Sequence, residues 1–312
     1  MSSAPEPQSR YNRFSDDLRR RYGAKVYKLT LDAGLSCPNR DGTVGAGGCV
    51  FCDPEGGTGR GEDRSDIPLA RQIAEGKAGL RRRYRAERFI AYFQSFSNTY
   101  GPVDRLGRLY GEAAADPEVV ALSIATRPDC LPDPVLDLLA GYASRIETWV
   151  ELGIQSLHEP SLRWMGRGHG TDVIEEAVSA LRRRGVHVCA HLILGLPGET
   201  QTEMTATARG VSGMGVEAVK LHMLYVTRGA RLAADHGAGR LDLLSRDEYI
   251  GAVVAVLENL APGIVIQRLV SEARPDRLSA PDWLRDKSAV IRGIERRLER
   301  LDTRQGRLWT PE

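Results

Sequence analysis

The 312-residue chain lacks most of the marks of exported and membrane proteins. Its five cysteines are too few and too unevenly spread for the disulfide framework of a secreted domain. No apolar run approaches the ~20 residues that a membrane-spanning helix requires. Met1 to Arg10 is polar and proline-containing, without the apolar stretch of a secretory signal. Net charge is almost absent, because 43 Lys and Arg against 41 Asp and Glu leave only +2, which selects no class of partner. Aromatics make up 6% of the chain, and there is no internal repeat or low-complexity tract. The setting these absences imply is reducing and cytoplasmic.

What is present is a 42% apolar fraction, enough for a substantial core. Arginine arrives in blocks: Arg19-Arg20-Arg21, Arg81-Arg82-Arg83 and Arg182-Arg183-Arg184. Such runs meet phosphates in some proteins and form solvated helix faces in most. From about Lys25 to Val226, β-branched runs alternate with longer amphipathic stretches. Strands are expected at Val26–Asp32, Phe89–Ser95, Val119–Arg127, Thr148–Ser156, His187–Leu196 and Val216–Val226. Helices are expected at Ile67–Tyr84, Val103–Ala114, Pro134–Ala143, Thr171–Arg184 and Thr202–Met214. This alternation predicts βα units and a parallel sheet. Beyond Val226 the pattern gives a helix at Arg246–Leu260, a strand at Gly263–Leu269 and a basic helix at Leu284–Leu301. Residues 1–21 are expected to be a flexible segment, 22–230 an α/β core, and 231–312 an extension capping it.

Strand parity carries more information than the alternation itself. In Trp149–Ser156, Glu151, Gly153 and Gln155 share the face opposite Val150, Leu152 and Ile154. Lys28, Ser123, Arg127, His191, Lys220 and His222 fall likewise on one face of their strands. A parallel sheet buried by helices on both sides would be apolar on both faces. Two arrangements satisfy the pattern: a curled sheet with a polar lumen, or a sheet with one face in solvent. The first fits better, since parallel sheets rarely leave a face bare.

Cys37, Cys49 and Cys52 follow the first strand with C-x11-C-x2-C spacing, inside a glycine-rich loop (Gly42–Gly61) too long for an ordinary βα connection. Three thiolates in one loop suit a metal centre with one coordination position open. A structural zinc needs a fourth protein ligand, and none falls within the loop. A zinc completed by a distant histidine and plain buried thiols are the other readings. Cys130 and Cys189 sit in ordinary strand contexts and read as packed thiols.

The stretch Cys37-Pro38-Asn39-Arg40-Asp41-Gly42 followed by Gly47-Gly48-Cys49-Val50-Phe51-Cys52 resembles the radical S-adenosylmethionine (SAM) proteins of the YhcC/YtqA type, related to the elongator catalytic subunit and MiaB-like groups. Later blocks agree in order: Ala91-Tyr92-Phe93-Gln94, Thr126-Arg127-Pro128-Asp129, Glu151 to Gln155, Gly166-Arg167-Gly168-His169, His191 to Thr200, and Ile266-Gln267-Arg268-Leu269. The resemblance implies a partial (β/α)6 TIM-like barrel with a C-terminal α/β extension. It implies a [4Fe–4S] cluster on Cys37, Cys49 and Cys52, with SAM chelating the fourth iron and yielding a hydrogen-abstracting 5′-deoxyadenosyl radical. Phe51 would then pack near the adenine, and Gln94, Asn98 and Thr99 would meet the methionine amino end. Glu151 and Gln155 would bond ribose hydroxyls or the amino-acid end, and Arg167 the SAM carboxylate. His191 stands where relatives place a ribose-binding acid, while Lys28, Arg127 and His222 are candidates for substrate. The nearest resemblance implies modification of wobble-uridine side chains in tRNA, with a one-electron donor such as flavodoxin or ferredoxin. A porphyrin-type or small-molecule oxidation and a non-catalytic metal-bearing RNA-binding protein are the alternatives. Thr200 with Glu203 fits a helix N-cap of capping-box spacing.

Overall fold

The computed structural model describes residues 9–52 and 64–311. Residues 1–8 of the segment expected to be flexible, and 53–61 of the glycine-rich loop, lie outside them. Strands β1 (Val26–Leu31), β2 (Arg88–Phe93), β3 (Val119–Thr126), β4 (Glu147–Gln155), β5 (His187–Leu194) and β6 (Ala218–Met223) lie side by side in chain order, all parallel. Two-residue β7 (Val226–Thr227), β8 (Val265–Arg268) and β9 (Leu278–Ala280) follow. β7 and β9 pair antiparallel to each other, whereas β8 runs parallel to β6 and becomes the seventh strand of the main sheet. The run Gly263–Leu269, placed with the extension by its position in the chain, thus completes the sheet itself. Val265 and Ile266 are both buried, as a strand covered on two faces requires.

The sheet is curled. Lys28 on edge strand β1 donates to Gln267 on edge strand β8 at 2.6 Å, closing the gap between the two margins with a side-chain bridge. The outward residues Leu29, Leu31, Phe93, Leu122, Ile124, Val150, Leu152, Val188, Val219 and Leu221 form one continuous core with the surrounding helices. Those helices are α2 (Leu69–Tyr84), α3 (Val103–Ala114), α4 (Asp133–Ala143), α5 (Glu159–Met165), α6 (Thr171–Arg183), α7 (Gln201–Gly213), α8 (Leu232–Gly237), α9 (Arg246–Asn259) and α10 (Lys287–Arg300), whereas α1 (Phe14–Tyr22) lies apart from this core. Thr200 and Glu203 form the expected capping box at the start of α7, so its first turn begins where the strand-to-helix connection ends. In α10, Val290, Ile294 and Leu298 are buried at four-residue spacing, which leaves Arg292, Arg296 and Arg300 on the outer face.

Helix α1 lies within the segment expected to be flexible. Its only apolar positions, Phe14, Leu18 and Tyr22, recur every fourth residue among charges and so make one stripe. Leu18 packs on Val26, Ile90 and Ala121, while Phe14 also reaches Trp149, Cys189, Ala218 and Val265. These are the inward residues at the strands' N-terminal ends. The helix therefore stoppers one end of the lumen, and a parallel bridge between Arg13 and Ile266 ties its start to β8. Polar lumen residues above this apolar layer are cut off from solvent on that side.

Candidate active site

Glu151 stands at the centre of the lumen, fully buried. Lys28 from β1 and Lys220 from β6 form ion pairs with it, His191 Nε2 from β5 lies 2.6 Å from its Oε2, and Ser123 Oγ from β3 donates to Oε1 at 2.6 Å. Five strands thus contribute to one network, as their shared parity requires. Burial raises the carboxyl's pKa, but Lys220, Lys28 and His191 outweigh it and hold the group well below the usual range. Burial pushes Lys220 down to about 7 despite Glu151, and pushes His191 down to about 4. His191 is neutral near pH 7, and since an ionised carboxylate only accepts, its Nε2 carries the proton. Tyr92 sits beneath both ammoniums, its ring centroid 4.8 Å from Lys28 Nζ and 4.4 Å from Lys220 Nζ.

The cysteine loop closes over the strands' C-terminal ends. The Asn39 Nδ2 donates to the Gly166 carbonyl at 2.7 Å, and Val50 N to the Met165 carbonyl at 3.1 Å, which fastens the loop to the end of α5. Gly45 must lack a side chain, because a Cβ there would lie 2.2 Å from Asn39 Oδ1. Cys49 Sγ accepts from Asn39 Nδ2 (3.2 Å), Arg167 Nη1 (3.4 Å) and Arg127 Nη1 (3.9 Å). Burial raises this thiol's pKa, yet the two guanidiniums and the amide bring it below its ordinary value. Cys52, by contrast, is pushed up to about 11 by burial and by Cys49, with Arg40 opposing.

The donor set fits an iron–sulfur cluster better than a zinc ion. Three thiolates on one zinc at about 2.3 Å would stand roughly 3.8 Å apart. Among the described residues, the only His, Cys, Asp or Glu trio with ligand atoms within 4.8 Å of one another is Glu151, Cys189 and His191. At least one pair among the Cys37, Cys49 and Cys52 sulfurs is farther apart than that, so the three do not form the compact set a single zinc requires. The compact trio is occupied by the lysines on Glu151, and burial pushes the Cys189 thiol up to about 12, so it stays protonated. Cys130 is likewise buried and pushed up to about 12.

One cavity joins the cysteine loop to the lumen. All three loop cysteines line it with Phe51, Gln94, Glu151 and Gln155. Arg127, Arg167, His191 and His222 line it as well. Three expected contacts fall elsewhere. Asn98 is buried with its amide on the Ser95 and Ala125 carbonyls, and Thr99 bonds Thr126 Oγ1 and the Cys130 carbonyl, so both brace the β2 and β3 ends. Lys28 lies below the cavity, on Glu151. Glu151 itself is enclosed by four donors, which removes the acceptor role toward ribose expected for it. Arg127 is clamped by Asp129 at 2.8 and 2.6 Å and bonds the Arg167 carbonyl, on the cysteine side of the lumen. Phe96 and Gln155 line the cavity with φ of 58° and 73°, backbone that non-glycine residues adopt rarely and mostly at functional sites. Arg40, Phe96 and Arg268 also line it, and sequence reading had assigned them no role. Tyr92 does too, and its parity with Gln94 in the expected strand Phe89–Ser95 was a usable signal.

A parallel α/β barrel whose polar lumen opens under three loop thiolates defines a class. The radical SAM superfamily model matches residues 41–210 and the Radical_SAM C-terminal domain model residues 216–300. The chain belongs to the radical SAM superfamily and is an enzyme whose cofactors are a [4Fe–4S] cluster and SAM. YtqA of Bacillus subtilis (strain 168) is 37% identical over 99% of this chain and 97% of its own length. A tRNA uridine(34) acetyltransferase of Dehalococcoides mccartyi (strain CBDB1) is 28% identical over 172 residues, 54% of this chain and 37% of that protein. In fold, the chain is similar to an archaeal Methanocaldococcus infernus Elp3 lacking its N-terminus, with a TM-score of 0.68 at 16% identity. That match covers 90% of this chain but only 64% of the Elp3 chain. No helix among the described residues is long and apolar enough to cross a membrane.

Proposed function

We propose that Cys37, Cys49 and Cys52 hold the cluster and that the enzyme modifies the wobble-uridine side chain of a tRNA. The observation that carries the first part is that all three thiols open on the cavity that contains the polar lumen. When bound, the cluster and SAM supply one-electron cleavage of the sulfonium and abstraction of a substrate hydrogen. The protein's own residues place and shield that chemistry. Arg167 keeps a buried Nε without a partner among the described residues and is the group for SAM's carboxylate. His191, with its Nε2 proton on Glu151, presents Nδ1 as an acceptor for a ribose hydroxyl. Phe51 packs beside adenine, and Gln94 and Gln155 orient the amino-acid end. Asn39, Arg127 and Arg167 donate to Cys49 and favour its thiolate for iron.

The tRNA assignment draws on the partial relative named for uridine 34. The arginine blocks lie at the strands' N-terminal ends, with Arg21, Arg81 and Arg182 paired to Glu147, Glu118 and Glu217, and do not border the cavity. Five free thiols suit a reducing cytoplasm, where a flavodoxin or ferredoxin would deliver the electron. Nucleoside profiling of bulk tRNA from a deletion strain tests the substrate. A wobble uridine lacking part of its side chain is the expected result, and a profile identical to the parent's removes tRNA from the proposal.

A further inference from the structure

Glu151 lines the cavity yet has nothing left for a ligand. Lys28, Lys220, His191 and Ser123 approach its two oxygens and fill the roughly four lone-pair sites of a carboxylate. Among the described residues it is the one carboxylate in the cavity wall, against four arginines. Three of these are held at the cysteine end: Arg40 on Cys52, Arg127 on Asp129, and Arg167 on Cys49 and the Gly153 carbonyl. The fourth, Arg268, is at the β6–β8 side. It gives Nη2 to Glu272 at 3.1 Å, and the rest of its guanidinium has no partner among the described residues.

His222 on β6 stands in the same part of the wall. Its ring stacks on His191 with centroids 5.2 Å apart, and its buried Nε2 has no hydrogen-bond partner among the described residues. Burial, then Arg268, His191 and Lys220, hold this imidazole neutral, well below its usual pKa. Lys220 lies on the same strand two residues earlier, fully occupied by Glu151 and Tyr92. The wall here therefore offers donors in a positive field and no free carboxylate. Such a surface repels cations and favours oxygen anions.

We propose that Arg268 and His222, above the buried Lys220, seat an oxyanion of the substrate, a carboxylate or a phosphate. The inference rests on the reading that substrate meets SAM in this cavity. It is separate from SAM's own carboxylate, because Arg167 belongs to the β4 side of the lumen, with β5 between that strand and β6.

Two small probes test it on anaerobically reconstituted protein, with and without saturating SAM, at fixed ionic strength. Inorganic phosphate is followed by phosphorus NMR line width and trifluoroacetate by fluorine NMR line width. Saturable binding of one probe in the presence of SAM is expected, and the preferred probe identifies the class. Arg268→Met and His222→Phe should each weaken it about tenfold or more, the loss of one charge-assisted hydrogen bond. Arg268→Lys should restore most of it, which separates lost charge from lost folding. No saturable binding, binding unchanged in both variants, or displacement of the probe by SAM would overturn the seat. SAM cleavage by the same preparation reports on the cofactor reading independently. Protein that cleaves SAM but binds neither probe loses only the seat, and protein that binds a probe without cleaving SAM loses only the function proposed above.

Discussion

Glu151 shows how a single buried group can organise a site. Its charge is offset by two lysines, one from edge strand β1 and one from β6 beside the opposite edge, so it fixes the curl as well as the electrostatics of the lumen. Glu151→Gln leaves both ammoniums without a counter-charge and should destabilise the fold by about 3–5 kcal/mol in urea unfolding. An effect below about 1 kcal/mol would show that water, not Glu151, balances the lysines. The buried imidazoles make a second prediction. His191 and His169 are both held down to about 4 by burial, from 6.5. Between those values the unfolded chain takes up protons that the folded chain excludes, so the histidines' contribution is full above pH 6.5 and is lost as pH drops toward 4. Lys220, lowered from 10.5 to about 7, adds a loss of the same sign across that higher range. Glu151, whose pKa is also depressed, adds loss of the same sign only below its ordinary value of 4.5. Urea midpoints of cluster-free protein should trace this slope, and His191→Asn should flatten it; a flat wild-type profile would contradict the burial. Parity alone put Lys28, Ser123, Glu151, His191 and Lys220 on one face. It could not show which of them pair, because that depends on how tightly the sheet curls. Glu151 was therefore read as available to ribose when its neighbours had already claimed it.

The elements that sequence made legible are the long ones with a clear period. Strands β1 to β6 and helices α2, α3, α4, α6 and α7 fall within a few residues of their expected spans, and the capping box of α7 is where Thr200 and Glu203 placed it. Helix α1 was not foreseen, and β8, though expected as a strand at Gly263–Leu269, was not foreseen as part of the main sheet, for a shared physical reason. Helix α1 has three apolar residues among charges, and β8 has four residues in all, so neither carries enough local signal to reveal what it packs against. Both matter to the site: α1 closes the lumen's lower end and β8 supplies Gln267 and Arg268. If α1 is a structural stopper, Leu18→Ala should cost about 2–5 kcal/mol, as core leucines do, because Leu18 is only 5% exposed. A loss of a few tenths, measured by the same urea titration, would return α1 to the status of a flexible arm.

At the scale of the whole molecule, a stoppered barrel with a polar floor opens upward under a loop of three thiols. The loop spacing pointed to a metal centre; distances beyond 4.8 Å between at least some of these sulfurs favour several irons over one zinc. Asn39 and Arg40 escaped notice within the motif because their partners, Gly166 and Phe96, are distant in sequence and meet them only in the folded barrel. The central claim is tested most directly by anaerobic reconstitution, with iron, zinc and 5′-deoxyadenosine measured on one preparation after reduction with SAM present. The account predicts about four irons per chain and deoxyadenosine formation, both lost in Cys49→Ala. A protein that retains only zinc, or one whose iron centre leaves SAM intact, would contradict it.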